Sequence, residues 1–184
     1  MPNRTGTYIA FYANNTRQPT ESDIKYYNLL KAWDENDDIS FEFVNSHDKG
    51  VVVSDNVKKA SLVSDLKRRL LRSKHMILII GKTTKEDTDW VPFEIKYAVD
   101  ECNIPIIAVY PGYEYITNPI ELSHLWPDAL KLRIENKTCR VIHIPFKKEP
   151  IFDAMSQFTH NNHPNTPVSY YPVAVYKSWG FSIK

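Results

Sequence analysis

Two short apolar segments, with a helix-length segment between them, constrain the fold of this chain most. Residues 75–80 and residues 104–110 are apolar runs with the length of a buried strand. Along residues 87–102, which separate them, an apolar residue recurs at helical spacing, at Val91, Ile95, Ala98 and Cys102. A strand, a helix and a second strand at this spacing form a βαβ unit, which implies a parallel sheet.

The rest of the chain repeats this alternation. An open, doubly wound α/β sheet of five parallel strands follows from it, flavodoxin-like, with strand order 2-1-3-4-5. In that order the loop at residues 13–20 and the start of the 87–102 helix border one cleft. The other predicted elements are strands at residues 7–12, 39–44 and 140–146, helices beginning near residues 20, 54 and 149, an irregular excursion with a short helix at 113–133, and a short strand at 173–179.

Composition bounds the classes of function. The chain has 184 residues, enough for one domain with a sizeable core, and a formal net charge of +1. We therefore expect no nucleic acid and no membrane among its partners, since neither the charge nor any apolar run favours them. The N-terminal residues lack the apolar core of a signal peptide, and we read Cys102 and Cys139 as reduced and buried. These features predict a cytoplasmic protein.

Several familiar motifs are absent. Gly81 is followed by Lys82 and Thr83, like the end of a phosphate-binding P-loop, but Met76 stands where that motif needs a second glycine. The five glycines form no dinucleotide fingerprint, and no nucleophile elbow is present. His160 and His163 have a spacing that could serve a metal, but no third ligand is evident, so we predict no metal site.

Trp90 and Glu94 are the residues whose placement points to chemistry. They lie four positions apart, so they share one row of the predicted helix, about one turn apart. A helix that follows a parallel strand begins at the sheet edge where open α/β sheets bind ligands. An aromatic ring and a carboxylate there could handle a flat, cationic substrate. The alternative is a solvated glutamate favoured by the helix dipole and a tryptophan that serves packing.

Three stretches together resemble the TIR-like family of the bacterial Thoeris antiphage systems. They are residues 73–84 (SKHMILIIGKTT), 90–98 (WVPFEIKYA) and 104–109 (IPIIAV), and the first strand at 8–12 (YIAFY) is similar in kind. The most specific part is the Trp-x-x-x-Glu of Trp90 and Glu94. The resemblance covers roughly residues 5–146, but the chain lacks the charged residues that many relatives carry just after strand one.

The resemblance implies a flavodoxin-like TIR fold over residues 1–158, with a C-terminal extension at residues 159–184 packed on or near it. It implies NAD as substrate, cleaved between nicotinamide and ribose, with Glu94 catalytic and Trp90 stacking near the nicotinamide. It also implies a cyclic ADP-ribose product that activates a separate effector protein, self-association as in many relatives, and no further cofactor. Other TIR domains are adaptors, so a non-enzymatic interaction module is the alternative reading.

The segment after strand one supplies the remaining candidates for binding the dinucleotide. Phe11, Tyr12, Asn14 and Asn15 are predicted to form walls and hydrogen-bond donors, and Arg17 is placed to meet the diphosphate. A flavin-binding relative is a third reading, which predicts a yellow protein. It ranks last because this segment lacks a glycine-rich phosphate cradle.

Overall fold

A parallel sheet forms the centre of the protein. The structure is a computed structural model that describes residues 4–13, 22–36, 43–44 and 56–183. Every pair of neighbouring strands in it is parallel, in the order β2-β1-β3-β4-β5. The parallel α/β architecture predicted from the sequence is therefore confirmed. The strands are β1 (Gly6–Ala10), β2 (Phe43–Val44), β3 (Ser73–Ile79), β4 (Ile106–Tyr110) and β5 (Val141–Pro145).

Helices connect the strands and cover both faces of the sheet. The helix after β3 begins at Trp90, as its spacing predicts, and its last turn, Tyr97–Glu101, widens to a π-helical turn. The excursion after β4 contains a 3-10 turn, Pro119–Leu125, before its helix. The helices are α1 (Ile24–Asn36), α2 (Asn56–Leu71), α3 (Trp90–Lys96), α4 (Asp128–Glu135), α5 (Lys148–Gln157) and α6 (Val173–Ser178).

Alternate residues of β1, β3, β4 and β5 enter two separate hydrophobic clusters, because successive side chains of a strand point to opposite faces. The α3-side cluster contains Tyr8 and Leu78 from the sheet, with buried residues from α2, α3 and α4. The α1-side cluster contains Ile9 and Ile77, with buried residues from α1, α5 and α6. Burial on both faces explains why the sequence of the inner strands is almost continuously apolar.

The predicted inner face of the helix after β3 is confirmed. Val91, Ile95, Ala98 and Cys102 are all buried in the α3-side cluster. Cys102 and Cys139 are both buried and free of disulfide bonds, as predicted. None of the helices in the described ranges is long and apolar enough to cross a membrane.

The C-terminal segment contains a helix where the sequence suggested a strand. Val173 and Val175 favour a strand by composition, but Pro172 precedes the segment, which forms α6 and buries Tyr176. The Tyr176 hydroxyl donates to the backbone carbonyl of Ile116 at 3.2 Å, so tertiary contacts outweigh the local β preference. Tyr171 is also buried, in the same α1-side cluster. The division of the chain at residue 158 stays a prediction.

Candidate functional site

The start of α3 is fixed by the side chain of Asp87. One carboxylate oxygen, Oδ1, accepts the backbone N–H groups of Asp89 and Trp90, each at 2.9 Å. The other, Oδ2, accepts the N–H of Val91 at 3.2 Å. The first N–H groups of a helix have no partner within the helix, so this one carboxylate satisfies three of them. It thereby fixes the start of the row on which Trp90 and Glu94 lie.

Glu94 is fully buried and receives a hydrogen bond from the sheet. Its side chain has no exposed surface, and the hydroxyl of Tyr8 donates to its Oε1 atom. Tyr8 lies in β1 and is itself fully buried. Burial, and next the charge of Glu94, raise the pKa of Tyr8 well above its usual value of 10.0, so the hydroxyl keeps its proton and remains a donor. The carboxylate that the sequence places near the ligand edge therefore points into the core.

Trp90 lies at the surface end of the same row and contacts a cation. Its side chain is half-buried at the edge of the α3-side cluster. The ammonium nitrogen of Lys59, from α2, lies 5.5 Å from the centroid of the indole ring. The same nitrogen lies 3.1 Å from Oδ2 of Asp89, the residue just before α3. Lys59 therefore extends from α2 to two groups at the start of α3, the indole ring of Trp90 and the carboxylate of Asp89.

The structure separates the two aromatic candidates that follow β1. Tyr12 is half-buried against the α3-side cluster. Burial, and next the charges of Asp87 and Glu86, raise its pKa. Tyr12 therefore lies on the same side of the sheet as Trp90. Phe11 points the other way and stacks on Tyr27 of α1, with 5.2 Å between ring centroids. Phe11 is thus not brought together with Glu94, and its place in a substrate pocket stays a prediction.

The other three candidates of this segment, Asn14, Asn15 and Arg17, lie outside the described residues. Their predicted contacts with a dinucleotide stay predictions. In the part of the chain that the structure describes, no three side chains of the metal-binding types come together.

A buried polar cluster at the carboxyl ends of β1 and β3 was missed by the sequence reasoning. Asp23 is buried just before α1, and the Thr84 hydroxyl donates to its Oδ2 at 2.9 Å. The N–H of Gly81 donates to the Thr84 hydroxyl oxygen at 2.7 Å. A Cβ atom on Gly81 would lie 2.3 Å from Oδ1 of Asp23, so only glycine fits here. The isolated glycine after an apolar strand was the available signal of this close approach.

This cluster connects the carboxyl ends of two neighbouring strands, β1 and β3. The N–H of Asp23 donates to the carbonyl of Tyr12 at 3.2 Å, which ties α1 to the exit of β1. Thr84 opens the short turn that leads to Asp87 and α3. Burial raises the pKa of Asp23, and the hydrogen bond from Thr84 opposes that shift. Asp23 therefore holds the segment before α3 against β1.

A cleft of about 390 Å³ opens beside this cluster, at the edge of the sheet where α/β proteins bind ligands. Its walls come from the start of α1, from the segment after β3 and from the turn after β4. The lining residues are Ser22, Asp23, Lys25, Tyr26, Gly81, Lys82, Thr83, Pro111 and Gly112. Neither Trp90 nor Glu94 is among them, so the cleft and the α3 row are neighbouring, distinct features.

Fold and site together define a parallel α/β domain with a Trp-x-x-x-Glu helix after its third strand, which is the class of the TIR-like domains. A family model described as the Thoeris protein ThsB, TIR-like domain, matches residues 8–115, more than half of the chain. The chain belongs to this family of Thoeris antiphage defence proteins. The match begins at Tyr8 and includes Trp90 and Glu94, and it ends before α4 and β5. The resemblance stated from the sequence is thus confirmed.

Proposed function

We propose that this protein cleaves NAD between nicotinamide and ribose, with Glu94 as the catalytic carboxylate. The observation that carries the proposal is the placement of Trp90 and Glu94 one turn apart at the start of α3, in a chain of the Thoeris TIR-like family. The proposal takes the domain to be flavodoxin-like, with sheet order 2-1-3-4-5. It places the protein in the cytoplasm, where NAD is available.

The chemistry of the bond suits these two side chains. The nicotinamide ring of NAD is a cation and leaves as a neutral molecule, so the reaction needs neither a metal nor a strong acid. The ribose carbon develops positive charge in the transition state, which a carboxylate stabilises. An indole ring holds a flat cation through its π face, an interaction of about 0.5–2 kcal/mol. Glu94 supplies the first group and Trp90 the second.

The buried position of Glu94 adds a requirement to the proposal. The carboxylate has no exposed surface in the structure, so substrate reaches it only after the start of α3 moves relative to Tyr8. A site that closes in this way excludes water. An internal nucleophile of the dinucleotide then attacks the ribose carbon, and the product is a cyclic ADP-ribose isomer. In the proposed pathway this product activates a separate effector protein.

The test is release of nicotinamide from NAD by the purified protein, alone and with lysate of phage-infected cells. Chromatography and mass spectrometry identify the adenine-containing product, and a mass of ADP-ribose less one water identifies a cyclic one. Glu94→Gln is expected to lower release by about a hundredfold or more, as for loss of one electrostatic contact to a transition state. Glu101→Gln is the matched control, since Glu101 lies on the same row but is exposed.

An interaction module is the second candidate, and the burial of Glu94 favours it. A carboxylate bonded to Tyr8 inside the core stabilises α3 without any catalysis. A groove of about 800 Å³ between α3 and α4, with Leu132 about half exposed, offers a surface for another protein. Signalling in cells distinguishes the two functions. If a folded Glu94→Gln variant signals like the unchanged protein, the enzyme proposal fails.

A further inference from the structure

The indole face of Trp90 carries a positive charge supplied by the protein itself. The Lys59 ammonium lies 5.5 Å from the ring centroid, within the roughly 6 Å over which a ring attracts a cation. The proposed substrate contact of this ring is also with a cation, the nicotinamide ring of NAD. Lys59 therefore makes the same kind of cation–π contact with Trp90 that the substrate would make.

We propose that Lys59 is a specificity-determining residue that competes with the cationic nicotinamide ring for Trp90. The inference rests on the proposed function in assigning NAD to this site. Two positive charges cannot share one ring face without repulsion, so a bound pyridinium ring displaces the Lys59 ammonium. The protein thus selects against weakly bound cations, since any cationic ligand at Trp90 must first displace the Lys59 ammonium.

The second contact of Lys59 makes this competition stronger. Its ammonium also pairs with Asp89 at 3.1 Å, which neutralises a carboxylate next to Trp90. When Lys59 is displaced, the charge of Asp89 becomes available to the incoming cation. Removal of Lys59 should therefore favour a cationic ligand twice, by clearing the ring and by exposing an attractive charge.

The surroundings of Lys59 allow such an exchange. Its side chain is 48% exposed and that of Asp89 is 59% exposed, so the ammonium can move into solvent without leaving a buried charge. Tyr8, by contrast, is fully buried in the sheet, so its contact with Glu94 opens only when the start of α3 itself moves. Lys59 is hence the movable contact of the α3 row.

A matched lysine on the same helix provides the control. Lys67 also comes from α2, and its ammonium lies 5.4 Å from the ring centroid of Tyr97, which follows α3. The Lys67–Tyr97 contact has the same chemistry as Lys59–Trp90 but lies two turns further along α2. Changes caused by any loss of charge on α2 will appear in Lys67→Met, and changes specific to Trp90 will not.

The experiment uses 1-methylnicotinamide, which is methylated on the ring nitrogen and is therefore a small pyridinium cation, and neutral nicotinamide as its uncharged counterpart. Binding is followed by nuclear magnetic resonance of the indole N–H of Trp90, assigned with Trp90→Phe. Lys59→Met is expected to tighten binding of the cation roughly two- to fivefold, the range of one exposed cation–π contact, and to leave nicotinamide binding unchanged. Lys67→Met should change neither.

Three results would overturn the inference. The first is equal cation binding by Lys59→Met and the unchanged protein, including no binding by either. The second is an equal gain for the cation and for neutral nicotinamide, which indicates a packing change. The third is the same gain in Lys67→Met.

Kinetics with NAD separate this inference from the proposed function. If NAD is cleaved, Lys59→Met should lower KM by a similar factor and should not raise kcat, because the nicotinamide ring is a cation in the bound substrate and loses that charge towards the transition state. An unchanged KM would contradict the inference while the enzyme proposal stands. If no variant cleaves NAD but the pyridinium result holds, the proposed function fails and the competition at Trp90 stands.

Discussion

Trp90 and Glu94 lie one turn apart on the same helix, and the comparison between them separates two kinds of polar contact. Glu94 receives its hydrogen bond from Tyr8, a core residue of the central sheet, and neither side chain is exposed. Trp90 contacts the ammonium of Lys59, whose side chain is about half exposed. A contact made inside the core opens only when the elements packed around it move, whereas a surface contact can be exchanged for a ligand by a side chain alone. The two residues are therefore expected to differ widely in what their partners contribute to stability.

Acidification is expected to have the largest effect on stability, because it acts on polar groups held inside the core. His75 and His143 are fully buried, and burial lowers the pKa of each from 6.5 to about 3. His75 donates from Nδ1 to the carbonyl of Phe158 at 2.6 Å and pairs through Nε2 with the Thr7 hydroxyl at 2.8 Å, as a neutral imidazole can.

The sign follows from the lowered pKa. Below pH 6.5 the unfolded chain binds protons at these two residues and the folded chain does not, so stability is lost as pH falls from 6.5 towards 3. Between pH 7.5 and 5.5, above the range where most carboxylates titrate, the two histidines should cost about 2–3 kcal/mol together. Urea unfolding at both pH values measures this difference. It should persist in His124→Gln, an exposed control, and a pH-independent midpoint would show that the buried imidazoles take up protons.

Tyr8→Phe probes the interior contact at the site itself. It removes the hydroxyl that donates to Glu94 and keeps the ring, so the free energy of unfolding should fall by about 1.5–3 kcal/mol, the range for a hydrogen bond to a charged group. Tyr97→Phe, at a half-buried ring, is the control and should change stability little. In combination with Glu94→Gln the losses should be non-additive, because both changes act on one contact. Strictly additive losses would mean that the two side chains do not interact in solution.

Asp87→Ala acts between the core and the surface, on the start of α3. Three backbone N–H groups lose their acceptor, and loss of such a cap costs about 1–2 kcal/mol. Asp87→Asn keeps one acceptor oxygen and should cost less. Thermal unfolding ranks the stability of the unchanged protein, Asp87→Asn and Asp87→Ala. A shift of the Trp90 indole resonance reports the change at the helix start. Equal stability of all three would show that α3 does not depend on this cap.

The fold was readable from the sequence because its signals are local. The apolar runs of β3 and β4 and the spacing of Val91 and Ile95 follow from strand and helix periodicity, which the structure confirms. The helix at Val173–Ser178 was not readable in the same way. Its six residues carry too little pattern, and a buried Tyr176 decides its conformation through distant contacts.

The site was only partly readable, since its contacts join residues far apart in the chain. Spacing placed Trp90 and Glu94 on one row, but the partner that draws Glu94 inward lies 86 positions away, at Tyr8. The prediction from the sequence placed Phe11 and Tyr12 in one pocket, although strand alternation indicates that neighbouring residues face opposite sides of the sheet, as these two do. Asp23 is 58 positions before Gly81 in the chain, and only the fold brings the two together.

Lys59→Met is expected to have the smallest effect on stability, and it completes the comparison. The pair with Asp89 is exposed on both sides, and such pairs contribute little, so the free energy of unfolding should change by no more than about 0.5 kcal/mol. Urea unfolding beside Tyr8→Phe measures the contrast directly. A loss above about 1 kcal/mol would place Lys59 among the structural contacts. A small loss together with tighter pyridinium binding would instead show that one row of α3 combines a structural contact at Glu94 with an exchangeable one at Trp90.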